Sequence, residues 1–213
     1  YRQITPKGGI DFYMSPMVGS AGWSDAGVFI PYDIYKQYGD KKILLENYDS
    51  MKRYAEYKIR TLGKWYLTSK RTGLKHKYKK FVHNYGQSYG EWAEPTEVYN
   101  TSFKDFASPH PEESTAYVNL MLTKMSEIAK LLGKEEDAKR FEEYADKAKI
   151  GYQQLIKCPK FSLGTNRQSK LVRPLYFHLL DEKEEKYAKE RLLKALDFFD
   201  WRLGTGFLST PFI

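Results

Sequence analysis

The chain of 213 residues carries a single cysteine, Cys158, which excludes an internal disulfide framework and a zinc site built on thiolates. No run of about 18 apolar residues occurs, so no segment is expected to span a membrane. Histidine is scarce as well. None of His76, His83, His110 and His178 pairs with another histidine or a carboxylate at the helical spacing a metal site uses, and no metal and no cofactor are expected. Ser24, Ser114 and Cys158 lie outside any nucleophile-elbow context. A starting Met and a signal peptide are absent at Tyr1, and the chain stops on Thr210-Pro211-Phe212-Ile213, inside an apolar stretch. Both ends read as cut, and 1–213 is expected to be one partial domain. A cytoplasmic location is favoured, with secretion left open because the N-terminus looks truncated.

What the chain has in excess is positive charge and aromatic surface. The formal net charge is +8, and much of the surplus sits in Lys70, Arg71, Lys75, Lys77, Lys79 and Lys80. A basic cluster can bind nucleic acid or anionic lipid, yet this one has no zinc spacing, recognition helix or Gly-aromatic motif beside it. It reads as a solvated loop, and neither a nucleic-acid nor a membrane partner is expected. Aromatic residues make up 16%, with 18 Tyr, 12 Phe and 4 Trp. Flat side chains on that scale either fill a large helical core or offer faces on which the C–H side of a sugar ring packs.

Apolar positions recur at helical spacing, and no strand-like alternation competes with them. The pattern predicts helices over 25–38 and 41–62, joined at Gly39-Asp40, with Ser24 or Asp25 as the first N-cap. Pro111 then opens a helix that ends at Gly133, with Glu112 and Glu113 in its first turn. A more polar partner covers about 135–156. A third pair is predicted over 168–180 and 182–199. In each pair the first helix is more apolar and the second more charged, the signature of an interior helix and its outer cover. Such pairs cannot bury themselves alone and must stack on neighbours. The expected fold is all-α, three inner/outer pairs making about half of an (α/α)6 toroid. The tight joins share one rim. The long segment 63–110, the segment 157–167 and the stretch 201–210 share the other, where a site belongs.

Three motifs fall on that second rim. In Ala21-Gly22-Trp23-Ser24-Asp25-Ala26, Trp23 and Asp25 are either a core anchor and a helix cap, or a sugar platform and a hydroxyl ligand. In Tyr89-Gly90-Glu91-Trp92-Ala93-Glu94-Pro95 two carboxylates flank a Trp that a loop does not need for packing, so a ligand-facing role gains weight. Gly204-Thr205-Gly206-Phe207-Leu208-Ser209-Thr210-Pro211 lacks the lysine of a phosphate loop and follows no strand; its expected job is backbone geometry. Asp105 and Glu113 could serve as acid or base, but their spacing does not select them.

These motifs, in this order and between these helix pairs, resemble the bacterial α-L-rhamnosidases over nearly the whole chain. The resemblance implies an (α/α)6 barrel that hydrolyses terminal α-linked L-rhamnose with inversion, acting on rhamnose-containing oligosaccharides or glycosides. It implies that Trp23 and Trp92 pack on the sugar and that Asp25, Glu91 and Glu94 bind its hydroxyls. Many members carry Asp where this chain has Glu91. The family places its catalytic acid upstream of the first motif and its base downstream of the third, so no catalytic residue is assigned here. The barrel's remaining segments are the partners the chain would need. Another (α/α)6 hydrolase and a non-catalytic helical-repeat module stay open as alternatives, although the long insert at 63–110 breaks the regularity such repeats show.

Overall fold

The computed structural model describes residues 19–65, 69–86, 88–100 and 108–213. Among them every regular element is helical. They are α1 (Ala26–Tyr38), α2 (Lys41–Thr61), a short α3 (His76–Lys79), α4 (Pro111–Leu131), α5 (Glu135–Leu155), α6 (Gln168–Tyr176) and α7 (Glu182–Phe198). Single 3₁₀ turns follow at Pro159–Phe161 and Thr210–Phe212. Among the described residues no helix is long and apolar enough to cross a membrane.

The helices pack as three antiparallel hairpins side by side: α1 on α2, α4 on α5, α6 on α7. The middle hairpin links the others, because α4 also touches α1, α2 and α6. Burial separates inner from outer helices in the second and third hairpins. α4 is buried over most of its surface, with Ala116, Tyr117, Val118, Met121, Leu122, Met125 and Ile128 nearly sealed from solvent. α5 buries one stripe, Ala138, Phe141, Ala145, Ala148 and Tyr152, at alternating spacings of three and four, and turns its charges outward. α7 buries only Ala188 and Ala195, one heptad apart. The expected inner/outer contrast is present in the second and third hairpins; in the first, α1 buries only Val28, Pro31 and Tyr32 and leaves Ile30, Ile34 and Tyr38 exposed, while α2 buries nine residues.

Two tight joins rest on glycine. Gly39 and Gly133 take φ values of 71° and 68°, where a side chain would meet its own backbone, and Gly39 N–H closes onto Tyr35 O at 2.7 Å. The third join uses no glycine. Sequence spacing carries the sixth helix to residue 180, but α6 stops at Tyr176. His178 adopts φ 53° and Leu179 N–H turns back to Pro174 O at 3.0 Å, ending the helix by a left-handed residue that composition does not announce. The first helix also starts differently. Asp25 holds the position before α1, but its carboxylate makes no cap bond there. A true capping box appears at α7, where Asp181 accepts from Glu184 N–H at 2.8 Å and Glu184 accepts from Asp181 N–H at 3.2 Å. The short α3, inside the basic segment, was not foreseen from the sequence.

Because the joins within hairpins lie on one rim, the segments entering α1, α4 and α6 gather on the other. The residues that could do chemistry are found there.

Candidate functional site

The first motif sits directly before α1, and the second comes to it across the rim. Trp23 and Trp92 lie with ring centroids 6.1 Å apart and planes inclined by 57°. A backbone contact fixes the relation: the Trp23 indole Nε1–H donates to Gly90 O at 3.0 Å. Two further rings complete the group. Tyr89 meets Trp23 edge-on at 5.7 Å, and Phe207 stacks beside it at 5.9 Å. These four rings come from three separate stretches of chain. Trp23 is half-buried, whereas Trp92 is 50% and Phe207 69% exposed. A structural aromatic cluster closes upon itself; this one leaves two broad apolar faces to solvent on the loop-bearing rim.

The third motif holds this arrangement from behind. Gly206 approaches so closely that a Cβ there would lie 2.4 Å from Trp92 O, and Phe207 N–H donates to that same oxygen at 2.7 Å. The expectation that this glycine-rich turn supplies backbone geometry is met, but its Phe207 also joins the aromatic face. The sequence reading left that ring out.

The three carboxylates that the resemblance matched to sugar hydroxyls lie beneath the aromatic layer. Asp25 is fully buried. It accepts from Gly22 N–H at 2.7 Å and from Tyr54 O–H at 2.6 Å, so it ties the Trp23 turn to α2. Burial pushes its carboxyl above the ordinary carboxylate range, against the opposing pull of Lys58 and these hydrogen bonds. Lys58 is itself fully buried, donates to Gly19 O, and is brought down to about 8 by burial. Glu91 accepts from Arg173 at 3.0 Å and from both the backbone N–H and the hydroxyl of Ser209. Glu94 takes a two-pronged contact from Arg167, whose guanidinium lies 3.6 Å over the Tyr99 ring. Neither glutamate side chain is exposed. The carboxylates thus hold the two tryptophan loops to α2 and α6 in this structure, and their oxygens face protein donors.

Sequence reasoning missed the cations that make this possible. Arg173 lies fully buried at the centre of a cluster, contacting Glu91, Glu112 at 3.2 Å and Glu113 at 3.5 Å. Three carboxylates on one guanidinium cannot all ionise cheaply. Glu113 yields, pushed up to about 8 by burial, with Arg173 opposing and Glu91 and Glu112 reinforcing. Its Oε1 has no hydrogen-bond partner among the described residues. Nothing local singles Arg173 out, because the same helix also carries Gln168, Ser169 and Lys170. Asp105 lies outside the described residues. Among the described residues no group of three or more His, Cys, Asp or Glu gathers as a metal would require.

Comparison with known proteins agrees with this architecture. Residues 2–213 match the family described as the bacterial α-L-rhamnosidase 6 hairpin glycosidase domain. An α-L-rhamnosidase of Formosa agariphila is 30% identical over 212 residues, covering 97% of this chain and 21% of its own length. One from Streptomyces avermitilis is 26% identical over 193 residues, 91% of this chain and 16% of its own. Among solved structures, the α-L-rhamnosidase of Dictyoglumus thermophilum superposes with a TM-score of 0.75 at 26% identity, covering 99% of this chain and 22% of that one. The Streptomyces avermitilis enzyme complexed with L-rhamnose gives 0.73 at 24% identity, over 99% and 18% respectively. The chain therefore spans only about a fifth of the length of these relatives, 21% and 16% of the two curated ones. Its three hairpins and its match along 2–213 place it: the chain belongs to the bacterial α-L-rhamnosidase six-hairpin glycosidase family.

Proposed function

We propose that this chain forms the sugar-holding part of the barrel of an inverting α-L-rhamnosidase, with 1–213 as one partial domain of that barrel. The observation that carries the reading is the convergence of Trp23 and Trp92, 69 positions apart in sequence, at 6.1 Å on the open rim. L-Rhamnose is a deoxy sugar with a methyl group, so one side of it is unusually apolar and packs well on exposed indole. Trp92 and Phe207 supply that face, Trp23 backs it, and Asp25, Glu91 and Glu94 lock the loops in place from below. A rigid platform of this kind binds without reordering at the moment of contact, which keeps the entropic cost of binding low.

Inversion needs a general acid and a general base set roughly 6.5–9.5 Å apart across the scissile bond, with a water between them. In our reading this chain supplies neither group: Asp25, Glu91 and Glu94 are committed to internal donors, and the family resemblance sets the acid upstream of the first motif and the base downstream of the third. The chain is the binding half of a reaction whose proton transfers come from other parts of the barrel.

The test separates binding from turnover. Methyl α-L-rhamnoside should perturb the tryptophan fluorescence of this chain, and Trp92→Ala should weaken binding about tenfold, the order of 1–2 kcal/mol expected for one lost aromatic face. The same chain should release no p-nitrophenol from the corresponding rhamnoside. Unchanged affinity in Trp92→Ala, or clear turnover by the chain, defeats this assignment.

A further inference from the structure

The Arg173 cluster borders a cavity of about 140 Å³ that the aromatic platform does not use. The two are neighbours. His110 lines the cavity and packs against Gly90, where a Cβ would fall 2.9 Å from its ring, and Gly90 O is the acceptor of the Trp23 indole. A space of this size has room for solvent or for a charged substituent.

Its walls are rich in donors. Five cationic side chains line it, Lys70, Lys160, Arg167, Lys170 and Arg173, against the two carboxyls of Glu112 and Glu113. Arg167 is neutralised by Glu94, and Arg173 by its glutamates. Lys160 and Lys170 have no carboxylate within 4.0 Å among the described residues; Lys170 donates only to Ser162 O, at 3.4 Å. Glu113, nine-tenths and more buried on the same wall, keeps one oxygen without a partner. A wall of ammonium groups selects a ligand made of acceptors carrying negative charge.

We infer that this cavity receives the anionic substituent, carboxylate or sulfate, of an acidic saccharide linked to the sugar on the tryptophans. This rests on the reading of the rim as a glycan site and narrows its substrate class to acidic glycans. Lys160 and Lys170 face the anion. Glu113 lies behind, 3.5 Å from Arg173, within the influence of Arg167, Glu91 and Glu112, and His110, Lys70 and Tyr99 complete the wall. Binding should weaken as Glu113 ionises near pH 8, since a second carboxylate would then oppose the ligand.

The experiment is a calorimetric titration of the chain with D-glucuronate, D-glucose 6-sulfate and neutral D-glucose, with methyl α-L-rhamnoside read by tryptophan fluorescence in parallel. At least one anionic sugar should bind tenfold or more tighter than glucose, and which one tells carboxylate from sulfate. Lys170→Met should cut that affinity about tenfold. Lys160→Ala, at an exposed position that does not endanger folding, should cut it severalfold. Glu113→Gln cannot ionise, so it should lose the fall near pH 8. Equal binding of all three sugars, no binding of either anion, or an unchanged affinity in Lys160→Ala overturns the inference. Rhamnoside binding without anion binding sinks this inference and leaves the platform standing. Anion binding without rhamnoside sinks the platform and leaves the cavity.

Discussion

At the scale of single residues, the site depends on how closely backbone can approach backbone. Gly206 sits against Trp92 O with no room for one carbon, and a Cβ would also come within 3.0 Å of the Glu91 side chain. Neither neighbour can yield freely. Trp92 O accepts from Phe207, and Glu91 is fixed by Arg173 and Ser209. Gly206→Ala must therefore push the Trp92 loop outward. Overpacking of this kind costs about 1–3 kcal/mol. The expected outcome is a roughly tenfold loss of rhamnoside affinity, seen as a weaker fluorescence response, with the helical circular dichroism unchanged. A full-strength response in that variant would show that the contact between the motifs does not set the platform. Glu91 shows the same constraint from the polar side. Its one carboxylate spans Arg173 and both donors of Ser209.

At the scale of elements, what holds a helix end decides whether the sequence discloses it. α7 is amphipathic but buries only two alanines, so local signals matter more to it than packing does. Its capping box satisfies both orphan ends of Asp181 and Glu184, and Asp181→Ala should destabilise the protein by about 1 kcal/mol, as chemical denaturation would register. An unaltered midpoint would mean that α7 is held by its neighbour alone. Such signals explain what could be read in advance. The hairpins, the glycine joins at Gly39 and Gly133 and the inner/outer contrast follow from periodicity and local chemistry, which act within a few residues. The end of α6 did not, because His178 takes a left-handed conformation without being glycine. The site divides along the same line. The meeting of Trp23 with Trp92 came from the family resemblance, not from periodicity, and the partners of Asp25, Glu91 and Glu94 were invisible. Tyr54, Arg167, Arg173 and Ser209 lie 29 to 118 positions from the carboxylates they bind, and no local pattern carries information over that span.

At the scale of the whole molecule, the buried charge beneath the rim links folding to pH. Glu113 titrates at about 8 in the folded protein against an ordinary 4.5, raised mainly by burial and reinforced by Glu91 and Glu112. A carboxyl that holds its proton longer when folded adds stability below the unfolded value, and that contribution drains away as pH climbs through the folded one. The window is therefore pH 4.5 to 8, with loss toward the alkaline side. Other groups titrate over the same range, but they are shared with Glu113→Gln, whose amide cannot ionise, so the difference between the two proteins isolates the effect. Thermal melts of both should show the native protein losing ground steadily to Glu113→Gln from pH 4.5 to 8 and running parallel to it above that. A constant offset across the window would mean that Glu113 is ionised throughout as a plain partner of Arg173. In that case the cavity beside it would hold one more negative charge, and the preference for anionic saccharides would have to come from the lysines alone.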